Sequence, residues 1–288
     1  MKKMFMAVIA LMMTISASAQ FYIYCSDGNV IKVDSISMVA PSYDETPGIG
    51  TFSVSADKQV TFSKGNLQYT QSTDTWSFAD NQYDYLGEAN IAIDADVLAD
   101  KVDLFGWSTS ANSFGVSTST SDSDYSGSFV DWGTNKIGND APNTWRTLSY
   151  DEWKYLLKNR PNANSLKGVA QVNGVNGLIL LPDNWTCPAG VTFKSGFHSS
   201  NGVDYYAAYQ TFTAAEWSKL ESAGAVFLPA TGGRYGSDVS DVQNYGFYWS
   251  ATMYNSYYAF CFYFNSDELY MNHYTRYGGQ SVRLVKDL

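Results

Sequence analysis

Two short stretches constrain this chain more than any bulk property: "SYDEWKYLL" at Ser149–Leu157 and "TAAEWSKLE" at Thr213–Glu221. Both read S/T-x-x-E-W-x-x-L. A Ser or Thr followed three residues later by Glu is a capping box, in which each residue satisfies a backbone N–H of the other. Trp153, Leu156 and Leu157 then fall on one face of the first helix, and Pro161 stops it. Trp217 and Leu220 do the same in the second, which Gly224 ends. Each helix is followed by an apolar run cut off by proline, "GLILLP" to Pro182 and "GAVFLP" to Pro229. Two copies are too few for a repeat array.

The remaining elements read as short strands. "FSVSADKQVTFSKGNLQY" alternates around turns at "ADK" and "KGN", and "WSFADNQYDYLG" continues in that style. Three later segments, "GFYWSAT", "AFCFYFN" and "SVRLVKDL", also read as strands, joined by polar, aromatic loops. The fold class is therefore α+β, with two helices among several short, mostly antiparallel strands.

The ends differ from this body. Residues 1–19 have the form of a signal peptide: Lys2 and Lys3, the apolar "MFMAVIALMMTI", then Ala17 and Ala19 in the A-x-A positions. The apolar run is too short to span a bilayer, and no later run is long enough, so no membrane span is expected. No cysteine stands at the cut, so lipid attachment there is not expected. The chain is expected to be exported, to the periplasm, cell surface or medium. Residues 20–40 read as a small β unit around "SDGN", 41–50 as a linker with two prolines and two glycines, and 51–288 as the main domain.

Without the leader, 16 basic residues face 28 acidic ones, a formal charge of −12. That balance argues against nucleic acid and anionic lipid as partners, since both recruit basic patches. "STSTSDSDYSGS" at 117–128 reads as a solvated loop, because its acids lack the glycine and terminal Glu of a calcium loop. The cysteines Cys25, Cys187 and Cys261 are odd in number, which excludes a disulfide scaffold but leaves open one Cys187–Cys261 bridge.

The blocks "TWRTLSYDEWKYLL", "GLILLPDNW", "GAVFLPATGGRYG", "YGFYWSAT" and "GGQSVRLVKDL" occur in that order, preceded by "VTFSKGNLQYTQSTDTWSFADNQYDYLG". Together they resemble the large paralogous families of secreted Bacteroidetes and Fibrobacter proteins that share a C-type-lectin-like domain. That domain is similar to the one in formylglycine-generating enzymes and in the variable proteins of diversity-generating retroelements. The resemblance covers residues 55–288. It implies paired N- and C-terminal strands, two flanking helices, and a ligand face built from the late loops and strands. It does not settle function, which lives in the site. Formylglycine-generating chemistry needs a late reactive cysteine pair, and here Cys261 stands alone. "APNTW" (141–145) and "LPDNW" (181–185) echo calcium lectin motifs without the paired carboxylate and amide set.

The ligand face is sought between Tyr254 and Tyr277, where ten of 24 residues are Tyr or Phe and most others are Asn, Ser, Asp, His or Thr. Alternation in 258–265 puts Tyr258, Phe260, Phe262 and Phe264 on one face, for the core, and Ala259, Cys261, Tyr263 and Asn265 on the other, facing outward. The flanking stretches "TMYNSYY" and "NSDELYMNHYTRYGG" read as display loops. The candidate ligand-binding residues are Tyr254, Asn255, Tyr257, Tyr263, Asn265, Asp267, Tyr270, Asn272, His273, Tyr274, Arg276 and Tyr277. Tyr, Asn and Ser are paratope residues: large contact area at low rotamer cost, with adaptable hydrogen bonds. Asn, Tyr, Ser, Asp, His and Cys are also reachable from one Asn codon by changing only adenines, the substitution route of retroelement diversification. The structural alternative is an aromatic rind. Arg283 is expected to be structural.

Catalytic motifs are lacking. His198 and His273 stand outside any catalytic or metal pattern, and no nucleophile elbow, phosphate loop or dinucleotide fingerprint occurs. The best-placed acids, Glu152 and Glu216, are helix caps. The expectation is a binding protein, not an enzyme, without cofactor or metal, for a glycan or protein on another surface. A structural or adhesive surface component is the alternative, with the N-terminal β unit serving assembly. A formylglycine-generating-type enzyme or a hydrolase comes third.

Overall fold

A computed structural model describes residues 21–24, 30–33, 50–90, 92–94, 97–98, 100–107, 117–198 and 205–288. The expected leader and nearly all of the expected linker lie outside them. The chain divides into two compact units, Met1–Asp44 and Glu45–Leu288. In the first, strands Phe21–Tyr24 and Val30–Val33 pair antiparallel, Tyr24 opposite Val30. The intervening "SDGN" lies outside the described residues.

The second unit is α+β, dominated by small sheets with few helices. Both capping boxes form. The Ser149 hydroxyl accepts from the Glu152 N–H at 3.2 Å, and the Glu152 carboxylate accepts from the Ser149 N–H at 2.8 Å. Thr213 and Glu216 do likewise at 3.3 and 2.8 Å. The first helix, Tyr150–Lys154, continues as a π-turn, Tyr155–Asn159, before Pro161. The second is Ala214–Ser222, and Gly224 beyond it sits at φ 91°. A third helix, Tyr205–Tyr209, escaped the expectation of two.

Strand Gln59–Phe62 pairs antiparallel with the late strand Leu284–Asp287, Phe62 opposite Val285. Thus a strand from the start of this unit is paired with one from its end. Arg146–Thr147 lies on the other side of the late strand. A second four-stranded sheet runs Thr211–Phe212, Lys167–Val172, Val175–Leu180, Val226–Pro229, and holds both proline-terminated apolar runs.

A third sheet carries the segment rich in Tyr and Phe. Its strands are Gly246–Met253, Tyr258–Phe264 and Leu269–Thr275, in that order and antiparallel. Two expectations need correction here. Residues 269–275, read as loop, form the outer strand, because all seven pair with the central strand despite their polar residues. The central strand is also not divided along its length into a core face and an outward face: Tyr263 and Asn265 do face outward, but Tyr258 and Phe260, expected in the core, are only half-buried. Phe262 and Phe264 enter one core with Tyr248, Trp153 and Leu228. Ala259 and Cys261, expected outside, enter a second core with Trp249, Trp107 and Val282. A strand lying between two cores reads as a continuous apolar run. The loop at 117–128 carries a 3₁₀ turn, Asp122–Tyr125, that plants Tyr125 in the interior.

Candidate functional site

The first strand of this sheet is pinned from behind. The Trp249 indole N–H donates to the Phe105 carbonyl at 2.7 Å, and that of Trp107 to the Ser250 carbonyl at 2.8 Å. The Tyr248 hydroxyl donates to the Pro229 carbonyl at 2.9 Å and accepts from the Asn66 amide at 3.1 Å. Gly246 is glycine for space: a Cβ there would stand 2.3 Å from the Phe264 ring. Such anchoring lets neighbouring side chains in the same strand be displayed on a rigid element.

Pleating then decides which candidates share a face. Phe247, Tyr263 and Tyr270 are direct cross-strand partners. Their rings form a ladder across all three strands, with centroids 5.5 Å and 4.8 Å apart. Tyr245 stacks on Phe247 at 5.7 Å, and Tyr274 lies 6.1 Å from Phe247. With Asn265 and Asn272 these rings line a groove of about 600 Å³. The Asn265 side-chain oxygen, Oδ1, accepts from the N–H groups of Asp267 and Glu268 at 2.8 and 2.9 Å, and Oδ1 of Asn272 from the His273 N–H at 2.9 Å. Their oxygens hold the backbone, leaving the NH₂ groups as the donors to offer.

The other candidates lie outside this row of rings. His273 contributes to the groove's lining, but it pairs with Phe260 and sends its ring to the opposite face of the sheet. There its ring stacks on Tyr254 at 4.1 Å and 8°, while Tyr254 meets Phe260 edge-on and Phe260 packs on Tyr150. Asn255 accepts from the N–H groups of Tyr257 and Tyr258, shaping the turn that leaves Tyr257 exposed. Asp267 accepts from the Ser266 hydroxyl at the other turn. Tyr277 meets Tyr235, ring to ring at 5.2 Å and hydroxyl to hydroxyl at 3.3 Å.

Arg276 is buried. Its guanidinium lies 4.6 Å over the Trp107 ring and donates to the carbonyls of Gly127 and Ser256 at 2.8 and 3.2 Å. Burial lowers its pKa from the ordinary arginine value. It braces the loops behind the sheet. Arg283 is buried as expected, donating to Gln82 at 2.6 Å.

Beside the groove, sharing Phe247 and Tyr274 with it, is a recess of about 40 Å³. Tyr235, Ser240, Asp241 and Gln280 line it along with Gly233 and Gly279. The hairpin Gly233–Tyr235 and Asp238–Ser240 borders it. Gly232, at φ 70° with Ser240 and Val242 backbone against it, makes the approach to that hairpin possible. Burial, and then the Asp241 carboxylate, raise the Tyr274 pKa, so the phenol is a neutral donor. Tyr235, Asp241, Tyr245, Phe247 and Gln280 were missed from the sequence. Only Phe247 left a signal, since it alternates with buried Tyr248 in "GFYWSAT".

Cys187 and Cys261 are both free thiols, and burial pushes Cys261 up to about 12. A thiol held protonated is a poor nucleophile. Asp183 of "LPDNW" is engaged with Arg160 at 2.8 Å and with Ser53, and Asp140 takes the Trp145 indole N–H. Among the described residues no three His, Cys, Asp or Glu side chains are grouped as metal ligands.

A domain family of unknown function, DUF8237, has a family model that matches residues 207–285, a span that holds all three strands of the groove. No curated protein and no solved structure is detectably similar to the chain.

Proposed function

We propose that this is a secreted or surface-displayed binding protein, C-type-lectin-like in its main unit, that holds a glycan or protein ligand in the groove of the sheet 246–275. The observation that carries the reading is the ladder Phe247–Tyr263–Tyr270, a row of rings at 4.8 and 5.5 Å beside two asparagine amides. Rings stacked on a pinned strand offer contact area at low entropic cost, and interface hot spots are enriched in such residues. Support for the C-type-lectin-like relation is the block order of the sequence, the two capped helices, and the pairing of Gln59–Phe62 with Leu284–Asp287. Export rests on the form of residues 1–19. Retroelement diversification rests on the residue types of 254–277. The strand pairing allows it at Tyr263, Tyr270, Asn272 and Tyr274, which point into the groove.

The test uses the chain from residue 20 onward against an array of glycans and against whole cells. Saturable binding is expected. Tyr263→Ala or Tyr270→Ala weakens it by about 1–3 kcal/mol with circular dichroism unchanged. Absence of any saturable ligand favours a structural or adhesive component. Loss of the native spectrum in both variants makes the ladder core and overturns the site.

A further inference from the structure

Gln280 is 1% exposed, and neither atom of its carboxamide makes a hydrogen bond to the protein. The Cys261 thiol lies beside it, but a thiol is a weak donor and acceptor. Buried polar side-chain atoms nearly always have partners, and leaving an amide unpaired costs stability. This one lines the recess that opens onto the aromatic groove. The carboxamide is therefore a buried donor and acceptor open to whatever enters the recess.

The recess limits what can meet that amide. About 40 Å³ admits one hydroxyl or hydroxymethyl group, not a ring. A carboxamide both donates and accepts. A hydroxyl also does both. A carboxylate would meet Asp241 across the same recess, where the Arg234 guanidinium is already turned to the carbonyls of Ser117, Gly236 and Leu104; a methyl would leave both amide atoms unpaired, and an ammonium would leave the amide N–H groups unpaired. A sugar carries hydroxyls on the edge of a ring whose C–H face packs on aromatic rings. Laid on Phe247 and Tyr274, which the groove and recess share, it brings a hydroxyl to Gln280. Tyr235 and Tyr274 at the rim are 53% and 41% exposed, so their rings can turn to admit it.

We infer that the groove binds a neutral sugar through stacking and without calcium, and that Gln280 sets specificity by hydrogen bonding one hydroxyl of it. The inference rests on the groove being the binding site. Calcium needs six to eight oxygen ligands, and among the described residues Asp241 is the one carboxylate lining the recess.

The experiment is an array of neutral, sialylated and sulfated glycans probed with the wild type, Gln280→Met and Tyr263→Ala, with and without EDTA. The expected result is EDTA-insensitive binding to a set of neutral glycans. Gln280→Met weakens it at least ~10-fold, and a ligand deoxygenated at the contacting position no longer distinguishes wild type from variant. Gln280→Met also melts close to wild type, since the one protein contact it removes is the weak one with the Cys261 thiol. Should the methionine variant misfold, Gln280→Leu, which removes the amide without adding a charge, gives the same loss. Equal binding by the wild type and a folded Gln280 variant overturns the role of Gln280, while a loss in Tyr263→Ala keeps the groove. Binding of a protein or of anionic glycans only, or dependence on calcium, overturns the ligand class and again keeps the groove. A Tyr263→Ala variant that binds like wild type overturns the groove itself.

Discussion

Arg276 and Asp103 show how little a residue's type says about its duty until its surroundings are known. Arg276 stands in a stretch full of display residues, yet it is 2% exposed and stacked on Trp107. Arg276→Ala removes that stack and orphans two backbone carbonyls, so it is expected to cost about 2–4 kcal/mol of stability in a denaturant titration. A ligand-binding arginine would lose affinity and keep stability. Asp103 is fully buried, and burial pushes its carboxyl up to about 6, even though Asn90 and the Leu86 N–H donate to it. The native state therefore holds this proton more tightly than the unfolded chain does. The associated stability is present below the ordinary carboxylate value and is lost as pH rises to about 6, roughly 3 kcal/mol in all. Glu152 and Asp287 act in the opposite sense. Burial raises Glu152, but Arg146 and the Ser149 N–H outweigh it, and Arg146 holds Asp287 low. Their contribution is lost as pH falls below the ordinary carboxylate range. Stability measured against pH should therefore be greatest near the ordinary carboxylate range, about pH 4, and Asp103→Asn should flatten the decline from there towards neutrality.

At the scale of elements, legibility followed how local the cause was. The capping boxes depend on residues three apart, and both formed where "SYDE" and "TAAE" placed them. Ser149→Ala should cost about 1 kcal/mol, read as a lower melting temperature, because the Glu152 N–H loses its acceptor. The proline-ended apolar runs became strands for the same local reason. The strand Leu269–Thr275 was hidden by its polar residues. Only the central strand's hydrogen bonds make it a strand, and that partner is fixed by tertiary structure. The second core was hidden as well. Alternation in "YAFCFYFN" reports two faces, but whether the second meets water or Trp107 depends on residues some 150 positions away. The groove was thus half legible. Tyr263, Asn265, Tyr270, Asn272 and Tyr274 came from composition, whereas Asp241 and Gln280 came from the hairpin 233–240 folding against the sheet.

For the main unit as a whole, the question left by the stretch 254–277 is whether its tyrosines form one surface or two. The pleat makes them two. Tyr263 and Tyr270 stack at 4.8 Å in the groove, while Tyr254 stacks on His273 at 4.1 Å on the opposite face, with the sheet between them. Side chains in contact couple energetically, and side chains separated by a packed sheet do not. This distinction can be measured before any ligand is found. In double-mutant cycles read by denaturant unfolding, Tyr263→Ala with Tyr270→Ala should depart from additivity by about 0.5–1.5 kcal/mol, the range for an aromatic pair. Tyr263→Ala with Tyr254→Ala should add within about 0.5 kcal/mol. Coupling between Tyr254 and Tyr263 as large as that within the ladder would mean that the two faces are one continuous surface, and the groove would lose its separate identity. Additivity instead fixes the order of work on the ligand, because a substitution at Tyr254 then serves as the control that shares the composition of the site but not its face.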